Sequence, residues 1–307
     1  MPMVDMSFFD SLPIFVVDAF ASQPFKGNPA AVCLVSTTCH PQVCSNAELM
    51  QNIASEMNLS ETAFVISTGN PDTFTTGDSF SLRWFTPSTE VNLCGHATLA
   101  SAAVLFRKLS NTNPVLKFDT LSGILPVCRN GKLISLNFPL NTSISQTLND
   151  YRDLLKAILD VTLIQEIEYS PNTKKILVRL KNEVQKEQLK NLVFNISSLP
   201  LIESSGKIKG VILTLKGTKE NGCLDQNGEC FDFISRYFAP WVGIPEDPVT
   251  GSAHTVLASY WSKQLEKNDL YAQQCSTRGG EMRIVVKDDR VEMSGQAAIT
   301  LEGRFNL

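Results

Sequence analysis

The hydrophobic positions of this chain fall into short, bounded runs that change period from two to about 3.6 and back. Residues 14–20 (IFVVDAF) and 31–35 (AVCLV) are rich in β-branched side chains and predict strands, with the turn-rich loop 23–29 (QPFKGNP) between them. Over 46–58 the apolar residues Leu49, Met50, Ile53 and Met57 recur at helical spacing, which predicts an amphipathic helix. Strands are predicted at 61–67 and 80–86. The stretch 95–107 (GHATLASAAVLFR) is apolar nearly all round, the pattern of a helix buried on every side.

Residues 115–138 hold two or three short strands broken at Ser122-Gly123 and Asn130-Gly131. A softer stretch at 139–150 leads to a helix at 150–160, strands at 163–169 and 175–180, and a polar helix near 183–192. Strands at 208–215 and 230–238 precede a second apolar helix at 251–265 (GSAHTVLASYWSKQL), and short strands close the chain at 282–287, 290–294 and 297–306.

The pattern contains an echo. Trp84-Phe85-Thr86-Pro87 precedes Cys94-Gly95-His96 and a small-residue apolar helix; Tyr237-Phe238-Ala239-Pro240 precedes Thr250-Gly251-Ser252 and another, about 155 residues on. Each block runs from an aromatic-Phe-x-Pro segment through a loop to a glycine-led helix. This predicts a duplication: two related halves, each a curved sheet around a buried helix.

Composition narrows the class. The chain has 307 residues, enough for about two domains, and 43% hydrophobic residues, which excludes a disordered chain. Lys+Arg 27 against Asp+Glu 31 gives a net charge of −4, which argues against a nucleic-acid partner. No apolar run reaches membrane-spanning length, so no membrane role is expected. The eight cysteines form no CxxC pair, and the N-terminus lacks a basic region ahead of its apolar stretch, so reduced thiols in the cytoplasm are expected. Cys39, His40 and Cys44 cluster, but no second cluster completes a metal set, and they read as surface-loop residues.

A helix that starts at a glycine turn offers free N–H groups and a partial positive charge to an anion. Gly95 and Gly251 are two such starts, or simply helix-entry residues. If the halves face each other, both would converge on a cleft for a small carboxylate. His96, in the first turn of the first buried helix, reads either as a core histidine or as a site residue; the helix terminus should lower its pKa. Asp247 is a helix-dipole or Asp-Pro turn residue, or a ligand; Ser252 is a cap or a ligand hydroxyl. Glu61 opens the apolar strand Thr62–Ile66. It is either a loop carboxylate or, facing an apolar cleft with a raised pKa, a general acid/base.

Several longer motifs bear a resemblance. They are Val17-Asp18-Ala19-Phe20, Gly27-Asn28-Pro29-Ala30-Ala31-Val32, Asn58-Leu59-Ser60-Glu61-Thr62-Ala63-Phe64, Arg83-Trp84-Phe85-Thr86-Pro87, Cys94-Gly95-His96-Ala97-Thr98 and Glu246-Asp247-Pro248-Val249-Thr250-Gly251-Ser252-Ala253. In this order, from about Pro13 to Leu307, the chain resembles the phenazine-biosynthesis PhzF family of the diaminopimelate-epimerase-like superfamily, and within it the animal branch. The resemblance implies an α+β fold of two similar domains, each a curved, mostly antiparallel sheet or barrel around a central helix. The expected halves are 1–125, joined by a last strand at about 296–307, and 126–295, with the active-site cleft between them.

The resemblance further implies a cofactor-free, metal-free isomerase. Glu61 shuttles a proton between two carbons, His96 and Asp247 hold polar groups of the substrate, and Asn28, Gly95, Thr98, Gly251 and Ser252 bind it. The expected partner is a small carboxylate-bearing molecule, and a homodimer is the default assembly. Cofactor-free epimerases of the superfamily use two cysteines. Cys94 matches the first, but Asp247-Pro248-Val249-Thr250 supplies no second. A Cys94-dependent epimerase is therefore the weaker alternative, and a non-enzymatic protein that binds a ligand or a protein partner is the third.

Overall fold

The computed structural model describes residues 11–307; the expectation about the N-terminus falls on residues 1–10, outside the described residues. The chain divides into two units, one running to Asn137 and regaining Ser294–Leu307, the other Phe138–Met293. The sequence reading put the division at 125/126. It lies later because the strands after Val115 continue as one antiparallel meander in the first unit.

The first unit contains β1 (Ser11–Ala19), β2 (Asn28–Ser36), α1 (Ala47–Met57), β3 (Glu61–Ser67), β4 (Ser79–Phe85), β5 (Glu90–Val91), α2 (Gly95–Ala103), β6 (Val115–Thr120), β7 (Gly123–Asn130) and β8 (Leu133–Pro139). β1 lies antiparallel between β2 and the last strand, Ala297–Asn306. β2 and β3 are parallel, as are β4 and β6, while β3/β4, β4/β5, β6/β7 and β7/β8 are antiparallel. Parallel neighbours need a crossover, and α1 supplies the one between β2 and β3. Every residue of α2 from His96 to Ala103 is buried, and the helix packs on β1, β2 and β3. Its alanines remove bulk on all sides, so strands can approach it closely.

The single helix expected over 95–107 changes character midway. Residues Val104–Lys108 form a wider π turn, from which Arg107 donates to the backbone carbonyls of Ala297 and Lys132. One side chain thus ties the last strand to the meander.

The second unit repeats the order of the first from β1 to β7. It contains β9 (Ile164–Ser170), β10 (Lys175–Leu180), α3 (Lys186–Lys190), β11 (Gly210–Lys216), β12 (Phe233–Ala239), β13 (Ile244–Asp247), α4 (Gly251–Leu265), β14 (Asp269–Gln274) and β15 (Gly280–Lys287). β10/β11 and β12/β14 are the parallel pairs; β9/β10, β11/β12, β12/β13 and β14/β15 are antiparallel. The same sequence of pairings in both units makes the echo a duplication of structure. α4 is buried along most of its length, with Trp261 stacked on Phe233 at 5.7 Å and its Nε1 donating to Thr214 Oγ1 at 3.0 Å.

The echo also reaches one residue further than the aromatic pair. Arg83 and Arg236 occupy matching positions on β4 and β12, and each forms a two-pronged ion pair, with Glu90 and Glu246 respectively. Arg236 also donates to the carbonyls of Leu189, Lys190 and Leu192 at the end of α3, and the helix expected at 183–192 is five residues long. β13 and β14 were not anticipated, and the strand expected at 230–238 starts at Phe233. Among the described residues no helix is long and apolar enough to cross a membrane.

Candidate active site

In the first unit the site is assembled where α1, β2, β3 and α2 begin or end. Asn58 closes α1 in the left-handed conformation (φ 47°), which asparagine tolerates, and turns the chain directly into β3. Glu61 is therefore the first strand residue, parallel to Ala30 of β2. It is 9% exposed, and its Oε2 lies 3.1 Å from His96 Nε2. Neither atom has an aligned hydrogen-bond partner, so the two meet as charges, and the carboxylate oxygen keeps a lone pair available.

The other face of the imidazole is also held. His96 Nδ1 lies 3.3 Å from Asn28 Nδ2 and 3.4 Å from Cys94 Sγ, while Asn28 Oδ1 accepts from Ser60 Oγ at 3.1 Å. Burial acts against a charged His96, but the negative groups around it outweigh burial and hold its pKa well above the usual histidine value. Burial, and then Glu61, push the Cys94 thiol up, so it stays protonated. The charge that holds His96 up is thus the Glu61 carboxylate. This corrects the sequence expectation of a lowered pKa: a carboxylate at 3.1 Å outweighs the partial charge of a helix end.

Glu61, Cys94 and His96 place donor atoms within 4.8 Å of one another, a set that resembles metal ligands by residue type. Glu61 and Cys94 sit against opposite ring nitrogens, however, so neither nitrogen faces both. That arrangement suits a proton relay better than a shared metal focus.

In the second unit, Asp247 ends β13 opposite Tyr237 of β12. Thr250 Oγ1 donates to Asp247 Oδ2 at 2.5 Å, and Thr250 N donates to Gln274 Oε1 at 2.9 Å. Gln274 Nε2 donates to the Asp247 carbonyl at 2.5 Å, and Ser276 Oγ to the Pro248 carbonyl at 2.8 Å. The loop from Asp247 to Thr250 is fixed at both ends. Thr250 is the N-cap of α4, but its hydroxyl goes to Asp247, and no side chain caps the helix. α2 likewise starts without a side-chain cap, and neither helix has an acidic residue in its first turn. Both therefore present unsatisfied N–H groups. His254, buried in α4, donates from Nδ1 to the Thr250 carbonyl at 2.7 Å, and burial pushes its pKa down to about 4.

The structure brings Glu61, His96 and Asn28 into contact, with Gly95 opening α2 beside them. Asp247, Gly251 and Ser252 lie together at the start of α4, with Ser252 exposed. Thr98, expected among the substrate-binding residues, is fully buried and gives its hydroxyl to the Cys94 carbonyl at 2.6 Å. His40, read as a surface-loop residue, is 3% exposed and accepts from Ser36 N at the entry to the short helix Pro41–Cys44. The sequence reading missed Ser60, Thr250 and Gln274 as parts of the two sites. Ser60 and Thr250 stand inside motifs already noted, whereas Gln274 lies on β14, which no local pattern marks.

A profile of the family described as "Phenazine biosynthesis-like protein" matches residues 17–303. The chain belongs to that family. It is 52% identical to the human phenazine biosynthesis-like domain-containing protein over 293 residues, which is 95% of this chain and 98% of that protein. It is 42% identical to an uncharacterized isomerase of Halalkalibacterium halodurans, over 96% of this chain and 98% of that one. A crystal structure of a PhzF-family protein from Enterococcus faecalis aligns with TM-score 0.78 and 37% identity, covering 97% of this chain and all of the other. A hydroxyproline epimerase from Agrobacterium vitis aligns with TM-score 0.53 at 9% identity, which extends the likeness in fold alone to an epimerase. The phenazine biosynthesis-like fold is thus a mixed α+β architecture shared with epimerases, as the resemblance implied.

Proposed function

We propose that this protein is a cofactor-independent isomerase that relocates a proton on a small carboxylate, with Glu61 as the general acid/base. The observation that carries this reading is the buried Glu61–His96 contact at 3.1 Å, in which Glu61 Oε2 has no aligned hydrogen-bond partner. Relatives at 42% and 40% identity are named isomerases, and this chain is an enzyme of that kind.

In the proposed step, Glu61 takes a proton from one substrate carbon. The electron pair left behind shifts into adjacent unsaturation, and the same proton returns to a second carbon. Charge is conserved, and no oxidant or reductant is needed. His96, favoured as the imidazolium while Glu61 is charged, stabilises the carboxylate before transfer. Asn28 and Cys94 fix the ring. The uncapped start of α2 attracts its carboxylate; Asp247, Ser252 and the uncapped start of α4 are the second unit's own candidates for holding polar groups and an anion. The reduced state of all eight cysteines fits a cytoplasmic setting.

The thiol alternative is weaker. Cys94 is buried with its pKa raised, and the matching N-cap of α4 is Thr250, so a two-thiol exchange has no second sulfur.

The test is to incubate wild-type and Glu61→Gln protein with a polar-metabolite extract in deuterated water and compare mass and retention. A metabolite that shifts with wild type alone supports the reading and names its substrate. A shift that persists with Glu61→Gln removes Glu61 from the role.

A further inference from the structure

The duplication gives residues of the first site counterparts in the second unit. The registers Ala63↔Trp84 and Ile212↔Tyr237 align the two, so Gly210 stands where Glu61 stands, Lys175 where Ala30 stands and Tyr237 where Trp84 stands. On β13 and at the start of α4, Asp247 and Ser252 take the places of Val91 and His96. The first unit thus holds its carboxylate and its cation at Glu61 and His96. The second unit has neither at those positions. It has one of each at two others, Asp247 and Lys175.

Lys175, the first residue of β10, is only 6% exposed. Its Nζ lies over the Tyr237 ring, 5.5 Å from the centroid, and forms no ion pair among the described residues. Burying an ammonium is costly unless an opposite charge compensates it. Strand alternation shows which charge does so. Ile176 and Val178 of β10, Val211 and Leu213 of β11 and Phe238 of β12 join one core. Lys175 and Gly210, paired in register, face the other way, as Arg179 does where it stacks over Trp261 of α4. Tyr237 shares that face, and so does Asp247 opposite it.

The order across the sheet is therefore Lys175, Gly210, Tyr237, Asp247. A Cβ at Gly210 would come within 2.3 Å of the Tyr237 hydroxyl, so the glycine lets the ring lie across β11. The ring fills the gap between lysine and aspartate. Tyr237 too is 6% exposed, so little water screens one charge from the other. The negative charge of Asp247 acts on both Lys175 and Tyr237, while Lys209 opposes the charge of Lys175. The other nearby charges are engaged elsewhere. Arg179 is about 13 Å along the strand and bound to Tyr260 and Gln264, and Arg236 is paired with Glu246. Thr250 and Gln274, which bond Asp247, are neutral.

We propose that Lys175 is a positioning residue for Asp247: across the Tyr237 ring, its ammonium holds the Asp247 side chain in the ionised form. Burial pushes the Lys175 amine down to about 8 and Asp247 opposes that shift, so the amine is still mostly protonated at neutral pH. An ionised Asp247 can only accept hydrogen bonds, as it does from Thr250, so a substrate group held there must be a donor, a hydroxyl or an ammonium. The inference rests on the reading of Asp247 as a residue that holds a polar group, but its test reads the carboxyl itself and needs no turnover.

The test is a carbon-13 NMR pH titration of the Asp247 carboxyl and the Lys175 Cε in wild-type, Lys175→Met, Lys175→Arg and Asp247→Asn protein. In Lys175→Met the Asp247 carboxyl should bind its proton about tenfold more tightly, and Lys175→Arg should largely restore the wild-type titration. Coupling between two charges is reciprocal, so in Asp247→Asn the Lys175 amine should bind its proton more weakly by a similar factor. Lost packing alone does not produce this matched pair of shifts. If Lys175→Met leaves the Asp247 titration in place, the proposal is overturned. If Lys175→Met fails to fold, Asp247→Asn decides, and an unmoved Lys175 titration overturns the proposal. Failure of Glu61 as the base would leave both titrations as they are, and unmoved titrations would leave the role of Glu61 intact.

Discussion

Arg236 grips Glu246 with two nitrogens, Nε to Oε1 at 2.7 Å and Nη2 to Oε2 at 2.8 Å, one residue before Asp247. The guanidinium also donates to three carbonyls at the end of α3 and lies over the Phe238 ring. One side chain thus joins α3, β12 and β13 and sets where Asp247 emerges. Both members of the pair are largely buried. Arg236→Met should therefore cost about 3–5 kcal/mol, since it strands the Glu246 carboxylate, and Glu246→Gln less, because hydrogen bonds survive. The double variant should lose less than the sum of the two, measured by urea denaturation as a double-mutant cycle.

Glu61→Gln preserves shape and removes the proposed base. Proton transfer should fall by about a hundredfold to ten-thousandfold once a substrate is in hand, with the melting temperature little changed. Residual activity close to wild type would assign the proton transfer elsewhere.

His96→Asn removes the imidazole that faces Glu61. The carboxylate is then left without its cation, and the alkaline limb that deprotonation of His96, with its raised pKa, gives the wild-type profile should shift out of range. A pH–rate profile shows the shift. An unchanged profile with lower activity would make His96 a spacer instead.

Asp247→Asn keeps a partner for the Thr250 hydroxyl but removes a charge. Substrate binding and turnover should both weaken while the α4 start stays intact. An unaffected rate would leave Asp247 as a loop anchor only.

His254 gives a stability prediction with a defined sign. Its pKa is about 4 in the folded chain and near 6.5 when exposed. Between these values the unfolded chain binds a proton that the folded chain does not, so stability is complete above about pH 6.5 and is lost as pH falls toward 4. The loss is on the order of 3 kcal/mol. His254→Asn, which can still donate to the Thr250 carbonyl, should flatten this part of the stability curve in denaturant titrations at pH 7, 5.5 and 4.5.

The sequence by itself determined the elements that bury a face and the loops that break them. Bounded apolar runs marked β1 through β4, all-round apolarity marked α2 and α4, and the aromatic-Phe-x-Pro echo marked the duplication. Each strand and helix signal lies within about fifteen neighbouring residues, the range over which periodicity can be read, and the echo compares two such blocks about 155 residues apart. Glu61, His96 and Asp247 were legible too, because each stands inside a contiguous motif.

Only the tertiary structure decided the rest. β14 carries Gln274, whose amide bonds both Asp247 and Thr250 from 27 and 24 residues away. No local pattern announces such a partner. The His96 pKa ran opposite to the helix-end argument because Glu61, thirty-five positions earlier, arrives at 3.1 Å in the folded chain. Lys175 shows the limit most clearly. In sequence it is one lysine beside another, and only the pairing of β10 with β11 buries it against Tyr237. Local order follows from neighbouring side chains and backbone geometry. Charge and chemistry depend on which distant groups the fold brings within a few ångströms, where burial strips away the water that would otherwise screen them.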